Sequence, residues 1–235
     1  MRNTNNYVTD NLYAYYDLTQ VSSGATTVED VSGNNNTFNV TDGTVTKDDL
    51  GGLIYNSSNL ININSTTFSL QSAVASIEYT IKYTGVDNCL QSQSFTNRTC
   101  GINGFNGDGY YYWLSGYGYA IYKGNTKIVS DVPLPTKLVN GEYYHIVITY
   151  SENEAKVYLN GELLNTHSHT STGIPTSTTH FLGATAHNGQ VTAQTLYSSR
   201  FYNKVLTQDE ITQNYTYEFT KLRLISGGGT DISSL

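Results

Sequence analysis

Apolar and polar residues alternate with a period of two along much of this chain. Ala75-Ser76-Ile77-Glu78-Tyr79-Thr80-Ile81-Lys82-Tyr83 sets Ile77, Tyr79, Ile81 and Tyr83 against Ser76, Glu78, Thr80 and Lys82. Successive strand side chains face opposite ways, so this pattern predicts a half-buried strand with a polar outer face. The run Glu142–Tyr150, followed by Lys156–Leu159, Asn160-Gly161 and Glu162–Leu163, predicts a three-stranded meander. Asn-Gly accepts positive φ at both central positions and closes a type I′ turn. Counting outward from it pairs Leu159 with Glu162, Tyr158 with Leu163 and Val157 with Leu164, which fixes the register locally.

Further strands are predicted over 11–18, 53–55, 60–63, 68–70, 110–115, 118–123, 181–183 and 196–202, with a turn over 29–36. Pro133 and Pro135 break a ladder, because proline has no N–H to donate. One helix is signalled near 207–216. Thr207 and Glu210 form a capping box, Leu206 and Ile211 the accompanying staple, and Asp209 sits in the first turn, where the dipole favours an acid. Gly227-Gly228-Gly229 starts a flexible tail.

Composition narrows the class of partner. Only 13% of the 235 residues are charged, against roughly a quarter in an average soluble domain. Asn, Thr, Ser, Gly and 21 Tyr take their place, consistent either with nucleotide bias or with a sugar-facing, adhesive surface. A formal net charge of −7 without a basic patch argues against nucleic acid, which needs clustered Lys and Arg. No run approaches the ~20 apolar residues of a membrane span. Met1–Tyr7 lacks the apolar core of a signal peptide. The expectation is either a removed leader or another exit, such as assembly into a virus particle. Cys89 and Cys100 flank a polar loop. A bond between them would close a short ring and contribute about 2–3 kcal/mol in oxidising surroundings; two free thiols suit a cytosol.

Residues 101–125 are rich in Gly and Tyr. Tyr110, Tyr111, Tyr112, Trp113, Tyr117, Tyr119 and Tyr122 cannot all point inward, because strand neighbours face opposite ways. The outward subset offers flat apolar faces to the C–H side of a sugar, or to a neighbouring subunit. His167-Ser168-His169 has a spacing that zinc sites use, but lacks a third ligand nearby and lies in what reads as a polar loop over 166–172.

Glu142–Tyr150 with Lys156–Leu163, the opening Asn11–Leu18 followed by Asp30-Val31-Ser32-Gly33-Asn34-Asn35, and the closing Arg200–Ile211 together resemble laminin-G-like, concanavalin A-like jelly-roll domains. The resemblance spans 11–217, leaving 1–10 as an N-terminal segment and 218–235 as a tail. It implies an all-β fold, a two-sheet antiparallel jelly-roll sandwich with one short C-terminal helix, in agreement with the alternation. In that family His145 occupies a usual histidine position, where packing or hydrogen bonding is its expected role. Related glucanases carry Glu-x-Asp-x-x-Glu, so that one acid protonates the leaving oxygen while another attacks. That sequence is missing here, and Glu152-Asn153-Glu154 reads as a solvated turn. Many relatives bind Ca²⁺ through rim oxygens. Asp17, Asp30, Asp108 and Asp131 are the candidate donors, without an Asp-x-Asp-x-Asp loop.

The reading that follows is a non-catalytic recognition or attachment module. Its expected contact patch is Trp113 with Tyr111, Tyr117 and Tyr119, supported by Asp108, His187 and Asn188, facing host or mucosal polysaccharide or glycan. The expected setting is a virion surface (a phage head decoration, head fibre or tail fibre) or the extracellular space. A homo-oligomer is open, and so is contact with other virion proteins. The rivals are a purely structural virion protein docked to a capsid or fibre partner, and a secreted adhesin or polysaccharide-degrading domain.

Overall fold

The computed structural model describes residues 6–55, 61–65, 68, 70, 72–84, 98–104, 109–114, 118–124, 126–171, 180–182 and 194–227. Its strands run in chain order β1 (Leu12–Asp17), β2 (Thr27–Val28), β3 (Phe38–Asp42), β4 (Leu53–Tyr55), β5 (Asn62–Ser65), β6 (Ala75–Tyr83), β7 (Arg98–Gly104) and β8 (Gly109–Leu114). There follow β9 (Gly118–Gly124), β10 (Thr126–Pro133), β11 (Tyr143–Tyr150), β12 (Glu154–Leu159), β13 (Glu162–Ser168), β14 (His180–Phe181), β15 (Gln194–Tyr202) and the helix α1 (Gln208–Ile225).

Two antiparallel sheets face each other. One has the order β1-β15-β6-β11-β12-β13, with β4 also paired to β15; the other runs β10-β9-β8-β7-β14-β5-β3-β2. Between them lies one apolar core holding Ile77, Tyr79 and Ile81 of β6, Ile146 and Ile148 of β11, Phe201 of β15, and Tyr16, Phe38 and Phe68. Rings meet edge to face there, Tyr16 with Phe38 at 5.2 Å and Phe68 with Phe201 at 5.6 Å between centroids, the arrangement favoured by the ring quadrupoles. Phe68 and Leu70, expected in a strand, lie in none, yet both are buried.

The meander forms as the Asn-Gly turn dictates. Asn160 and Gly161 take φ of 52° and 83°, and Leu159 pairs with Glu162 and Tyr158 with Leu163. One step further the register departs from expectation: Val157 pairs with Asn165, not Leu164, across a bulge. A bulge places two residues opposite one and re-aims the strand. β13 consequently runs through Ser168, into residues expected to be loop. β10 was not expected either. It is an edge strand with two register shifts, ending at Pro133, and an edge is where a residue without an N–H is tolerated.

The larger departure concerns the outer face of the first sheet. Ser76, Glu78 and Thr80, expected to meet water, are buried like their alternating apolar neighbours. The cause is α1, whose Ile211, Asn214, Glu218, Phe219 and Leu222 are buried at helical spacing against that face. The capping box forms as expected, with the Thr207 hydroxyl accepting from the Glu210 N–H and the Glu210 carboxylate accepting from the Thr207 N–H at 2.9 Å. No proline interrupts the helix, so it continues past 216 to Ile225 and stops where Gly227 adopts φ 67°, the left-handed position that ends many helices. The boundary expected at 217 therefore falls inside α1.

Candidate functional site

Charged side chains gather beneath α1. Arg200 of β15 is 0% exposed, and Glu78 of β6 and Glu218 of α1 are 1% and 0% exposed. Strand pairing sets Arg200 beside Glu78. The Arg200 Nη1 donates to Glu78 Oε1 at 3.2 Å, while Nη2 donates to Glu218 Oε1. His145 Nε2 lies 2.5 Å from Glu78 Oε1, and Asn214 donates to Glu78 Oε2 at 2.7 Å. Aromatic faces close the remaining sides of the guanidinium, with Tyr15, Tyr7 and Tyr217 ring centroids at 4.2, 5.0 and 5.4 Å. Such faces attract a desolvated cation. Burial by itself would raise the Glu218 pKa, but Arg200 and Lys221 hold it down to about 2. Burial would likewise lower that of Arg200, and its neighbours, Glu218 foremost, keep it well above the ordinary value.

A glycosidase also needs two carboxylates, one of them protonated near neutral pH and both within reach of substrate. Glu218 fails the first requirement, and both Glu78 and Glu218 fail the second. They share a guanidinium, Glu218 stays ionised, and α1 with Tyr7 and Tyr15 seals them from sugar. The arrangement ties the N-terminal segment, β1, β6, β15 and α1 together.

The outer face of the second sheet has a different character. Directly opposed residues of antiparallel strands share a face. Tyr119 and Ile121 of β9 lie in the core, so Ala120 and Tyr122 belong to the outside. β8 pairs Trp113 with Ala120 and Tyr111 with Tyr122, which assigns positions 111 and 113 to that same outer face. β7 adds Arg98 opposite Trp113 and Gly101 opposite Tyr111; β10 adds Lys127 opposite Tyr122. Two cross-strand rows result, Arg98–Trp113–Ala120 and Gly101–Tyr111–Tyr122–Lys127. Ala120 is buried, while Tyr122 and Lys127 are half-buried, the ammonium 5.9 Å from the ring centroid. The register thus places two aromatic positions of β8 and one of β9 on this face, next to alanine and glycine positions of the neighbouring strands.

Between the sheets a cleft of about 10 Å³ is lined by apolar groups of Tyr119, Leu134, Ile146, Ile148, Val157 and Leu164. At its side the Tyr119 hydroxyl and His167 Nε2 are 2.8 Å apart. Burial pushes the Tyr119 pKa up and the His167 pKa down. Among the described residues no group of three His, Cys, Asp or Glu could hold a metal ion. Of the candidate calcium donors, Asp30 accepts from the backbone N–H groups of Tyr15, Ser32 and Asn36 at 2.9, 2.9 and 3.0 Å. Asp17 accepts from Thr19 and pairs with Lys221 at 3.2 Å. Both carboxylates serve the fold.

A family model described as the concanavalin A-like lectin/glucanases superfamily matches residues 56–212. The chain belongs to this superfamily. Solved structures agree on the fold. The binding domain of paraclostridial mosquitocidal protein 1 superposes with a TM-score of 0.67 at 16% identity, over 90% of this chain and 53% of that one. The ligand binding domain of botulinum neurotoxin serotype D, in complex with N-acetylneuraminic acid, gives 0.63 at 17% identity over 88% and 51%. A mutant Trypanosoma rangeli sialidase with trans-sialidase activity gives 0.62 at 15% identity over 91% and 34%. The chain thus spans about half the length of those binding domains and a third of the sialidase. No curated protein matches the chain.

Within this concanavalin A-like sandwich, two of the expected contact residues, Trp113 and Tyr111, fall on neighbouring outer-face positions of β8. Tyr119 does not join them: it is buried against the core on the opposite face. Tyr117, Asp108, His187 and Asn188 lie outside the described residues, as does Cys89 of the candidate disulfide with Cys100. Sequence reasoning singled out neither Lys127 nor the pairing of Arg200 with Glu78 and Glu218; of that cluster it named His145, whose expected hydrogen-bonding role agrees with its contact to Glu78. The placement of Lys127 was hidden by the register shift between Lys127 and Val129, which sends Val129 to the core and breaks the alternation.

Proposed function

We propose that this protein is a non-catalytic carbohydrate-recognition module that takes sugar on the outer face of β7–β10. The observation that carries the reading is the register: it gathers Tyr111, Trp113 and Tyr122 on one face, among alanine and glycine, opposite to the core. Aromatic faces suit the apolar C–H side of a pyranose, and hydroxyl and indole N–H groups suit its polar edge. The superfamily includes lectins, and one similar domain has been solved with N-acetylneuraminic acid. The acids that sequence and fold bring together are sealed beneath α1, which favours binding without bond cleavage. The virion setting has composition as its sole support.

The test is a glycan array followed by titration of the hits. Trp113→Ala should weaken binding by up to about ten-fold, on the order of the ~0.5–1.5 kcal/mol of an aromatic contact, with an unchanged melting temperature. Unaltered affinity, or silence across a broad array with those rings covered by a protein partner, would move the function to protein docking. Release of reducing sugar from a polysaccharide panel would instead establish an enzyme.

A further inference from the structure

We infer that the contact between Tyr119 and His167 is an acid-sensitive latch, fastening β13, the last strand of the first sheet, to β9 of the second. The bulge at Val157 and Tyr158 builds it. In the register expected from the Asn-Gly turn, Leu164 would face Val157, and Asn165 and His167 would fall on the outer side. The shift instead sets Asn165 opposite Val157 and His167 opposite Ala155, both core residues, so these two polar side chains turn inward along with Leu164. A slip of one residue exchanges the two faces of a strand. On the inner side the Tyr119 hydroxyl, on a ring 2% exposed, lies 2.8 Å from His167 Nε2. The two rings meet edge to face with centroids 5.7 Å apart.

Neighbouring groups fix the direction of that hydrogen bond. Asn165 Oδ1 accepts from the Thr166 N–H at 2.9 Å, which leaves the Asn165 amide N–H groups to donate. A side-chain hydrogen bond from Asn165 opposes the rise that burial imposes on the Tyr119 pKa, as a donor does. The phenolic oxygen therefore accepts from Asn165, and its own proton goes to His167 Nε2, an acceptor in the neutral ring. Proton uptake turns Nε2 into a donor. The Tyr119 O–H then loses its acceptor beside a cleft walled by Leu134, Ile146, Ile148, Val157 and Leu164, where an imidazolium is poorly solvated. Tyr119 faces the ring from β9 and Ala155 from β12, with Asn165 and His169 two residues away along β13; none of them is an acid. Glu154 and Lys156, on β12, pair with each other at 2.8 Å. Burial holds the His167 pKa below the ordinary 6.5. The stabilisation is accordingly complete above pH 6.5 and is lost as pH falls through the depressed value. Among the described strands β13 pairs with β12 alone, so the released edge frays locally.

The measurement is amide hydrogen exchange, followed by NMR on the full chain from about pH 7.5 to about pH 5, with each rate corrected for the intrinsic effect of pH. The amides of Asn165, His167 and His169, the last bonded to the Asn153 carbonyl at 2.8 Å, should lose protection on the order of ten-fold in acid. Those of β6 and β11 should hold theirs. Tyr119→Phe keeps the ring without the hydroxyl, and should show the loosened edge already at neutral pH with little further change in acid. His167→Gln offers an amide oxygen that accepts from the Tyr119 O–H at every pH, and should keep the edge protected throughout. An edge whose protection is independent of pH in the wild type would overturn the latch. An acid step of undiminished size in His167→Gln, or equal loss of protection across β6, β11 and β13, would do so too.

Discussion

The residue that organises one side of this molecule is Arg200. Its guanidinium has left water completely, a step that costs several kcal/mol unless paired and hydrogen-bonded. Glu78, Glu218 and three tyrosine rings supply that environment. Removing one partner is therefore expected to cost more than the bond alone is worth. Glu218→Gln should lower stability by about 3–5 kcal/mol, because a buried charge loses its counter-charge; chemical denaturation measures this. The same carboxyl carries a pH signature. Its pKa falls from an ordinary 4.5 to about 2 in the fold, so its stabilisation is fully present above pH 4.5 and is lost as pH falls toward 2. The shift amounts to about 3 kcal/mol over that window. Melting temperatures across it should drop in the wild type and change less in Glu218→Gln. Very little of this was legible in the sequence. Glu78 occupies the polar side of an alternating strand, which ordinarily means solvent, and its partners Arg200 and Asn214 stand 122 and 136 residues away. Local pattern contains no information about a helix that returns to cover that side.

At the scale of elements, what could be read was what neighbours in sequence determine. The Asn160-Gly161 turn, the first two pairs of its hairpin and the Thr207–Glu210 capping box are all short-range, and all form as expected. The bulge at Val157/Tyr158, the edge strand β10 and the last turns of α1 depend on what packs against them. The Asn-Gly turn illustrates both kinds of control. Gly161 has φ 83°, and a Cβ there would stand 3.1 Å from Cδ1 of Tyr215 on α1. Gly161→Ala should accordingly cost about 1–2 kcal/mol from the left-handed backbone alone, with a further loss as Tyr215 is displaced, measured as a shift in the urea midpoint. The length of α1 is testable too. Leu222 is 0% exposed, packed with Tyr143, Tyr197 and Phe219. Leu222→Ala should destabilise by about 2–4 kcal/mol, as buried leucine truncations do. A change under ~0.5 kcal/mol would mean that the chain beyond 217 contributes little.

For the whole molecule, the two outer faces of the sandwich have divided roles. The first sheet is covered by α1 over a buried charge cluster, Arg200 with Glu78 and Glu218, whose acids are 1% and 0% exposed. The second sheet brings positions 111, 113 and 122 to one outer face by strand register. Sequence reasoning recognised that the Gly- and Tyr-rich stretch must show some rings outward, but alternation alone could not say which. Register decides it: Tyr119 goes to the core, while positions 111, 113 and 122 share the other side. The most direct test is backbone amide NMR of the protein titrated with the tightest glycan from the array. The expected result is a set of shifted amides clustered on β8–β10 around Tyr111, Trp113, Tyr122 and Lys127, with the amides beneath α1 unmoved. Shifts centred on Glu78, Arg200 and Glu218, or on the inter-sheet cleft beside Tyr119 and His167, would contradict the account.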